Sequence, residues 1–250
     1  MKYIHFMILL KLIQYLRIVY IKFLKEKIRP YLALMNNKIT SYFTLSKLSI
    51  SEYKEKGSKF IAIAFPIENK YEFETELSNI KDKFPKATHY CYAYKLDLDN
   101  NNYRINDDGE PSGTAGKPIF GQIESNLLTF VAIVVVRYFG GTKLGVTGLI
   151  QSYKNAAILA IKENMIIEKL IETRYILSFE ESQYNSMQVC LGQIKKIASQ
   201  IIYIDLYQIE IVIPITFEFR LKQIVFENLF GFNFDMEEQH RLKKILILKE

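Results

Sequence analysis

The alternation of apolar and polar positions predicts a series of short strands in the first two thirds of the chain. A strand is predicted at 58–66, where apolar and small residues alternate up to a proline. A second is predicted at 88–96, and the turn-forming residues that follow it indicate a hairpin reaching about Arg104. The seven apolar residues of 130–136 are mostly β-branched, which indicates a central strand buried on both faces.

The same region contains three predicted helices. Apolar residues recur at helical spacing over 70–84, and Pro85 terminates that pattern. A second helix is predicted near 115–125, and a third follows the glycines that end at Gly145. The apolar positions of the third helix form one stripe that is predicted to pack on a sheet; they are Leu149, Ile150, Tyr153, Ala156, Ala157, Ala160 and Ile161.

A second unit is predicted to begin near Glu172. Its clearest element is the unbroken alternation over 209–219, which indicates a strand, and Pro214 within it favours an edge position in the sheet. The other predicted elements are a strand over 175–179, helices over 184–198 and 220–230, and a final strand over 243–248. These five elements fit the β-α-β-β-α-β order of a ferredoxin-like domain, with one of its four strands not assigned.

The predicted fold class is therefore α+β, with two domains at 41–170 and 171–250 and no internal repeat. Residues 1–40 form a basic, apolar N-terminal extension. Residues 1–34 carry seven basic residues and one acid, a charge of 7 − 1 = +6, and Lys and Arg interrupt every apolar run before it reaches membrane-spanning length. Two interpretations stay open: a basic amphipathic helix on a membrane surface, or translation that begins at Met35.

The charge of the remaining chain is balanced. The whole chain has 33 basic and 27 acidic residues, so 35–250 holds 26 of each, and any contact with nucleic acid must come from a local patch. Cys91 and Cys190 lie in different predicted domains, which indicates reduced thiols and a cytoplasmic protein. No motif is sufficient to assign a cofactor, a metal ion or a small-molecule substrate.

The first segment with candidate chemistry is the loop at 106–116. Three carboxylates within four residues, followed by Gly, Ser and Thr, have the composition of a metal site or of an acid–base pair. The alternative is a surface turn whose Asp side chains accept hydrogen bonds from backbone N–H groups ahead of a helix. The residues concerned are Asp107, Asp108, Gly109, Glu110, Pro111, Ser112, Gly113, Thr114 and Gly116.

The second segment is the glycine-rich loop between the central strand and the third helix. Backbone N–H groups at such a junction suit an anion such as phosphate, two basic residues add positive charge, and two aromatic residues are suited to stacking on a base. The alternative is that the glycines serve a tight turn and the aromatics belong to the core. The candidate phosphate-binding or nucleic-acid-binding residues are Arg137, Tyr138, Phe139, Gly140, Gly141, Lys143 and Gly145.

The third candidate is the pair His89 and Cys91, which point to the same face of a predicted strand. They are either two metal ligands or a thiol–base pair, and the alternative is that the thiol packs in the core as a small apolar group. Two ligands do not make a metal site. No catalytic residue is assigned from the sequence.

Three ordered motifs closely resemble the YigZ/IMPACT family. They are HYCYAY at 89–94, NDDGEPSGTAGKPI at 106–119 and VVVRYFGGTKLGVTGLIQSY at 134–153, and the GSKF segment at 57–60 also fits. The resemblance covers about 53–160, and the second domain matches in the order of its elements only. Thr147 and Gln151 depart from the family pattern, which often has Gly and Arg there.

The resemblance implies a first domain with the fold of the second domain of a small-subunit ribosomal protein, an α/β sandwich. It implies a second domain similar to the last domain of elongation factor G. Both folds occur on ribosome-bound proteins, so the leading hypothesis is a non-catalytic regulator of translation that associates with the ribosome, RNA or a translation-associated protein. The alternatives are a metal-dependent hydrolase that uses Asp107, Asp108 and Glu110, and a module that binds only proteins.

Overall fold

The computed structural model describes residues 39–98, 101–230 and 246–249. The predictions for residues 1–34, a membrane-surface helix or a start at Met35, lie outside the described residues. The chain divides after Leu170 into two compact units, and the first begins at Ser41. Within the described part of the chain, no helix is both long enough and apolar enough to cross a membrane.

The described residues of the first unit form seven strands and three helices. In chain order they are β1 Ser41–Leu45, β2 Ser49–Glu55, β3 Ser58–Pro66, α1 Lys70–Lys83, β4 His89–Lys95, β5 Tyr103–Asn106, α2 Gly116–Ser125, β6 Val131–Tyr138, α3 Gly145–Lys162 and β7 Ile166–Leu170. The strands predicted at 58–66, 88–96 and 130–136 are confirmed, as are all three helices. Strands β1, β2 and β7 were not predicted.

A five-stranded antiparallel sheet in the order β2-β3-β6-β4-β5 forms the centre of this unit. Strand β6 is in the middle because its apolar residues tolerate burial on both faces, and Val131 to Val136 are all fully buried. Helices α2 and α3 pack on one face, and α1 packs on the other through Phe73 and Ile80. The predicted apolar stripe of α3 is buried except at Ile150, which is 38% exposed.

The second unit has the ferredoxin-like arrangement. Its elements are β8 Glu172–Ser178, a 3-10 turn Glu181–Gln183, α4 Tyr184–Ile194, β9 Gln200–Tyr203, β10 Gln208–Pro214, a 3-10 turn Ile215–Phe217, α5 Glu218–Phe230 and β11 Leu246–Lys249. The antiparallel sheet order β11-β8-β10-β9 places the fourth strand beside the first and the third beside the second. This confirms the predicted two-domain α+β class.

Two predictions about β10 were wrong. The strand ends at Pro214 and the chain continues into helix, although Ile215 and Phe217 keep the alternating pattern. The strand is also internal, because it pairs with both β8 and β9. Proline is tolerated here because pairing with β9 ends at Val212, so the missing N–H of Pro214 removes no bond to that neighbour. The last strand begins at Leu246, and 243–245 lie outside the described residues.

Candidate functional site

The three motif segments meet at one end of the central sheet. Antiparallel pairing places Arg137 of β6 directly between Phe60 of β3 and His89 of β4. The loop between β5 and α2, residues 107–115, lies against this end of β4, because Tyr90 N–H donates to Oδ2 of Asp108 at 2.6 Å. Segments far apart in sequence therefore contribute to one polar cluster.

Asp107 holds the start of helix α2. Its Oδ1 accepts hydrogen bonds from the N–H groups of Ala115 at 3.0 Å and Gly116 at 2.8 Å, and its Oδ2 accepts one from Gly113 at 2.9 Å. The N–H groups of Ala115 and Gly116 are among those that the first turn of a helix leaves without intrahelical partners, and Gly113 lies in the loop before the helix. The interpretation of this loop as a turn that satisfies backbone N–H groups is confirmed for Asp107.

His89 is fixed by the same loop. Its Nδ1 lies 2.7 Å from the carbonyl oxygen of Asp108, and because a carbonyl only accepts, Nδ1 carries the proton. The other ring nitrogen, Nε2, lies 3.8 Å from Oε1 of Glu110. Nδ1 of His89 therefore forms a structural hydrogen bond, and Nε2 faces the buried carboxylate of Glu110.

Glu110 and Arg137 form a buried ion pair. Nη1 of Arg137 lies 2.5 Å from Oε1 of Glu110, and the same oxygen accepts a 2.7 Å hydrogen bond from the hydroxyl of Tyr153 on α3. Arg137 is only 5% exposed. Its guanidinium carbon lies 5.4 Å from the ring centroid of Phe60 and 5.6 Å from that of Phe139, which is cation–π distance.

Cys91 is buried in the core next to the Glu110–Arg137 ion pair. Its thiol is 3.0 Å from the carbonyl oxygen of Asp107 and 3.3 Å from the Tyr153 hydroxyl. Burial raises the pKa of the thiol far above its usual range; its hydrogen bond to the Tyr153 hydroxyl lowers the pKa in part, and the Glu110 charge raises it by a smaller amount. The thiol is therefore protonated at neutral pH, which removes the character of a nucleophile or a metal ligand.

The loop at 139–143 has a fixed base and an exposed outer part. Gly140 N–H donates to Oγ of Ser58 at 3.2 Å, and Phe139 N–H donates to Oγ1 of Thr88 at 3.0 Å. Residues 139–143 are exposed, and the Phe139 side chain is 48% accessible. Gly141 has φ of +85° and Gly145, at the start of α3, has φ of +72°. Both glycines therefore allow a tight turn, which is the alternative interpretation given above for the glycines of this loop.

The structure brings together His89, Cys91, the 107–110 carboxylates and Arg137, but it separates their roles. Arg137 is inside and paired, whereas Lys143 is outside. Tyr138 is half-buried and its hydroxyl donates to the carbonyl of Pro85 at 3.1 Å, so the expected stacking surface is reduced to Phe139. In the described part of the chain, no group of three or more His, Cys, Asp or Glu side chains is arranged to hold a metal ion.

Two residues of the cluster were not among the predicted site residues. Tyr153 belongs to the predicted apolar stripe of α3, and Ser58 is the first residue of the strand predicted at 58–66. The signal for Tyr153 was available, because a tyrosine among alanines and aliphatic residues carries a hydroxyl that needs a buried partner. No sequence signal marks Ser58, whose Oγ accepts from a backbone N–H 82 residues away.

Comparison with known proteins identifies relatives of this chain. A family model described as the Impact N-terminal domain matches residues 56–161. The IMPACT family member YvyE of Bacillus subtilis is 35% identical over 129 residues, which are 52% of this chain and 59% of that protein. The IMPACT family member YigZ of Escherichia coli is 31% identical over 140 residues, or 55% of this chain and 69% of that protein.

A solved structure described as a hypothetical protein is also similar. It matches with a TM-score of 0.61 and 25% identity over 76% of this chain and 93% of its own. The residues matched by the family model include the whole polar cluster, from Ser58 through Glu110 to Tyr153. The chain belongs to the IMPACT family.

Proposed function

We propose that the protein is a non-catalytic regulator of translation that contacts RNA phosphates on the ribosome through the loop at 139–143. The observation that carries the proposal is the contrast between this loop and the cluster beneath it. Lys143 and Phe139 are exposed on a loop whose base is fixed by hydrogen bonds to Ser58 and Thr88. A fixed, basic and aromatic loop is suited to a phosphate and a neighbouring base.

The internal cluster supports a binding role because its reactive groups are already engaged. The carboxylate of Asp107 accepts hydrogen bonds from three backbone N–H groups, and the charge of Glu110 is paired with that of Arg137. A hydrolase needs a carboxylate that is free to take a proton or to hold a metal-bound water. The alternative of a hydrolase built on Asp107, Asp108 and Glu110 therefore loses its main support, since all three carboxylates have structural partners, Asp108 through the Tyr90 N–H.

Arg137 keeps a part in this proposal, but an indirect one. Its guanidinium lies behind the loop, between Glu110 and the ring of Phe139, so phosphate contact falls to Lys143 and to the backbone N–H groups of the loop. Replacing Arg137 by alanine would leave Glu110 buried without its cation and would test folding rather than binding. Lys143→Ala is the informative change, because Lys143 is exposed.

The test is co-sedimentation of the full chain with ribosomes across a salt series. We expect pelleting that falls steeply with salt and, for Lys143→Ala, a salt slope that is shallower by about one phosphate contact. Lys70→Ala is the matched control, since Lys70 is an exposed lysine of α1 paired with Glu74 at 3.2 Å. Absence of pelleting at low salt would overturn the proposal. Capture of a protein partner that survives nuclease treatment would replace it with the protein-binding alternative.

A further inference from the structure

The turn that follows α1 is docked against the base of the 139–143 loop. Thr88 N–H donates to the carbonyl of Arg137 at 2.8 Å, and its Oγ1 accepts from Phe139 N–H at 3.0 Å. One residue before Phe139, the Tyr138 hydroxyl bonds to the carbonyl of Pro85 at 3.1 Å. These three bonds join the turn to the base of the loop at one end of the central sheet.

The end of α1 and the turn that follows it carry lysines that have no carboxylate partner among the described residues. Lys81, Lys83 and Lys86 are exposed, and none forms an ion pair with another described residue. The ammonium groups of Lys81 and Lys83 instead lie 5.7 Å from the ring centroids of Tyr90 and Phe84. Several lysines elsewhere in the described chain are paired with glutamates; they are Lys54, Lys59, Lys70 and Lys222.

Stabilisation of helix α1 explains the presence of only some of these lysines. Lys81 and Lys83 lie in the last turn of α1, where a cation interacts favourably with the helix dipole. Lys86 lies beyond the helix and has φ of +61°, a left-handed conformation that is strained for lysine and not for glycine. Neither helix stability nor turn geometry favours a lysine at that position.

The charge and the aromatic ring together indicate the ligand. Residues 81–88 hold three lysines and one aspartate, Asp82, a charge of 3 − 1 = +2. The backbone N–H of Phe139 bonds to Thr88 at the end of this segment; Phe139 is 48% exposed, and the Arg137 guanidinium lies 5.6 Å from its ring. Phosphates suit the lysines, and an exposed ring adds stacking for a base that is not already stacked in a duplex. Asp108, also exposed, bounds the surface on the side of β4.

We infer that the lysine surface, defined as Lys81, Lys83, Lys86, Phe139 and Lys143, binds a single-stranded segment of RNA. The inference rests on the proposed function and specifies its ligand: the lysines contact successive phosphates while Phe139 stacks on a base. The closely related alternative is an acidic protein segment, which would use the lysines but would gain no base stacking from Phe139.

The test measures binding of the full chain to a fluorescein-labelled oligouridine of roughly twelve nucleotides by fluorescence anisotropy. The variant carries Lys81→Gln, Lys83→Gln and Lys86→Gln, and the control carries Lys54→Gln, Lys59→Gln and Lys70→Gln, which removes the same charge from paired lysines. We expect the variant to bind about tenfold more weakly and its salt slope to fall by about 2, since each lost phosphate contact on a single strand removes about 0.7. The control should stay within about twofold of wild type.

Three further measurements separate the ligand from the alternatives. Phe139→Leu should weaken binding to oligouridine and leave binding to an RNA duplex unchanged, because only the single strand offers an unstacked base. Lys86→Gly should weaken binding without lowering the urea midpoint, since it removes the charge and relieves the backbone. If the triple variant no longer pellets with ribosomes but binds oligouridine as the wild type does, the ligand of this surface is a protein. That result would overturn the inference.

The outcomes for the two proposals are distinct. If the wild-type chain neither pellets with ribosomes nor binds RNA, the proposed function fails. If it does both and the triple variant behaves like its control, the function stands and the lysine surface is wrong.

Discussion

The hydroxyl of Tyr153 donates a 2.7 Å hydrogen bond to Oε1 of Glu110, and the same oxygen lies 2.5 Å from Nη1 of Arg137. One carboxylate oxygen thus joins helix α3, the loop before α2 and the end of strand β6. All three side chains are buried, so this junction is part of the support of the exposed loop rather than a surface for a ligand.

Replacing Tyr153 by phenylalanine tests that junction. The substitution keeps the ring, which packs edge-on against Phe60 at a centroid distance of 5.1 Å, and removes the donor to a buried carboxylate. We expect the free energy of unfolding to fall by about 1.5–3 kcal/mol, the range for hydrogen bonds to charged groups. Urea denaturation measures it, with Tyr71→Phe as the control because Tyr71 is 77% exposed. Equal losses in the two variants would contradict the structural role.

The Glu110–Arg137 pair is expected to behave as one unit. Glu110→Gln or Arg137→Met alone leaves a buried charge without its partner, and each should cost about 3–5 kcal/mol. The double variant should cost much less than the sum of the two, giving a coupling energy above about 2 kcal/mol. A second cycle on the exposed pair Lys70 and Glu74 should give no more than about 0.5 kcal/mol. Additive losses at Glu110 and Arg137 would show that the pair is not energetically coupled.

The hydrophobic pattern was sufficient for the centre of the fold. The continuous apolar run of β6 and the stripe of α3 predicted their elements because these residues are the ones the core buries. The pattern failed at the periphery: β2 carries polar residues such as Ser51, Glu52 and Lys54, which show no buried face of the kind that marks a central strand. It also failed after Pro214, where apolar residues that begin a helix happened to continue the alternation of the strand.

The sequence predicted most members of the candidate site, though not Tyr153 or Ser58, and it did not predict their roles. The sequence placed Asp107, Glu110 and Arg137 in the right segments, yet the ion pair joins residues 27 positions apart and depends on how β6 meets the loop before α2. A basic residue beside glycines is typical of an anion site, and nothing local distinguishes Arg137, which is buried, from Lys143, which is exposed. The difference arises from strand register, since Arg137 pairs directly with Phe60 and His89.

Gly140 is expected to be intolerant of any side chain. A Cβ at this position would lie 1.9 Å from the carbonyl carbon of Gly57, and the backbone of the β2–β3 turn cannot move without opening the sheet edge. We expect Gly140→Ala to destabilise the protein by several kcal/mol or to prevent folding, as overpacking against the backbone does. Thermal unfolding followed by circular dichroism measures the change.

Gly121 provides the matched control for that substitution. It lies within α2, and a Cβ there would meet no atom within 4 Å. Gly121→Ala should therefore raise stability by about 0.5–1 kcal/mol, the gain from replacing glycine in a helix interior. A Gly140→Ala protein as stable as wild type would mean that the loop base does not depend on its close contact with Gly57.

The two buried thiols predict a loss of stability at alkaline pH. Burial raises the pKa of Cys190 to about 12, and it raises the pKa of Cys91 still further. In the unfolded chain a thiol ionises near pH 8.5, so above that pH the unfolded state loses protons that the folded state keeps. The stabilising contribution is complete below about pH 8.5 and declines as pH rises through the folded pKa, at up to about 1.4 kcal/mol per pH unit for each thiol.

Urea unfolding at a series of pH values between about 8 and 10 measures this decline. Cys190→Ala should make the slope of stability against pH shallower by up to about 1.4 kcal/mol per unit, whatever it does to the absolute value, because one titrating group is gone from the unfolded state. Cys91→Ala should do the same in the first unit. Slopes equal to that of the wild-type chain would mean that the thiols ionise alike in both states. Thiol labelling of the native protein, slow at neutral pH and fast in urea, provides an independent check of the same burial.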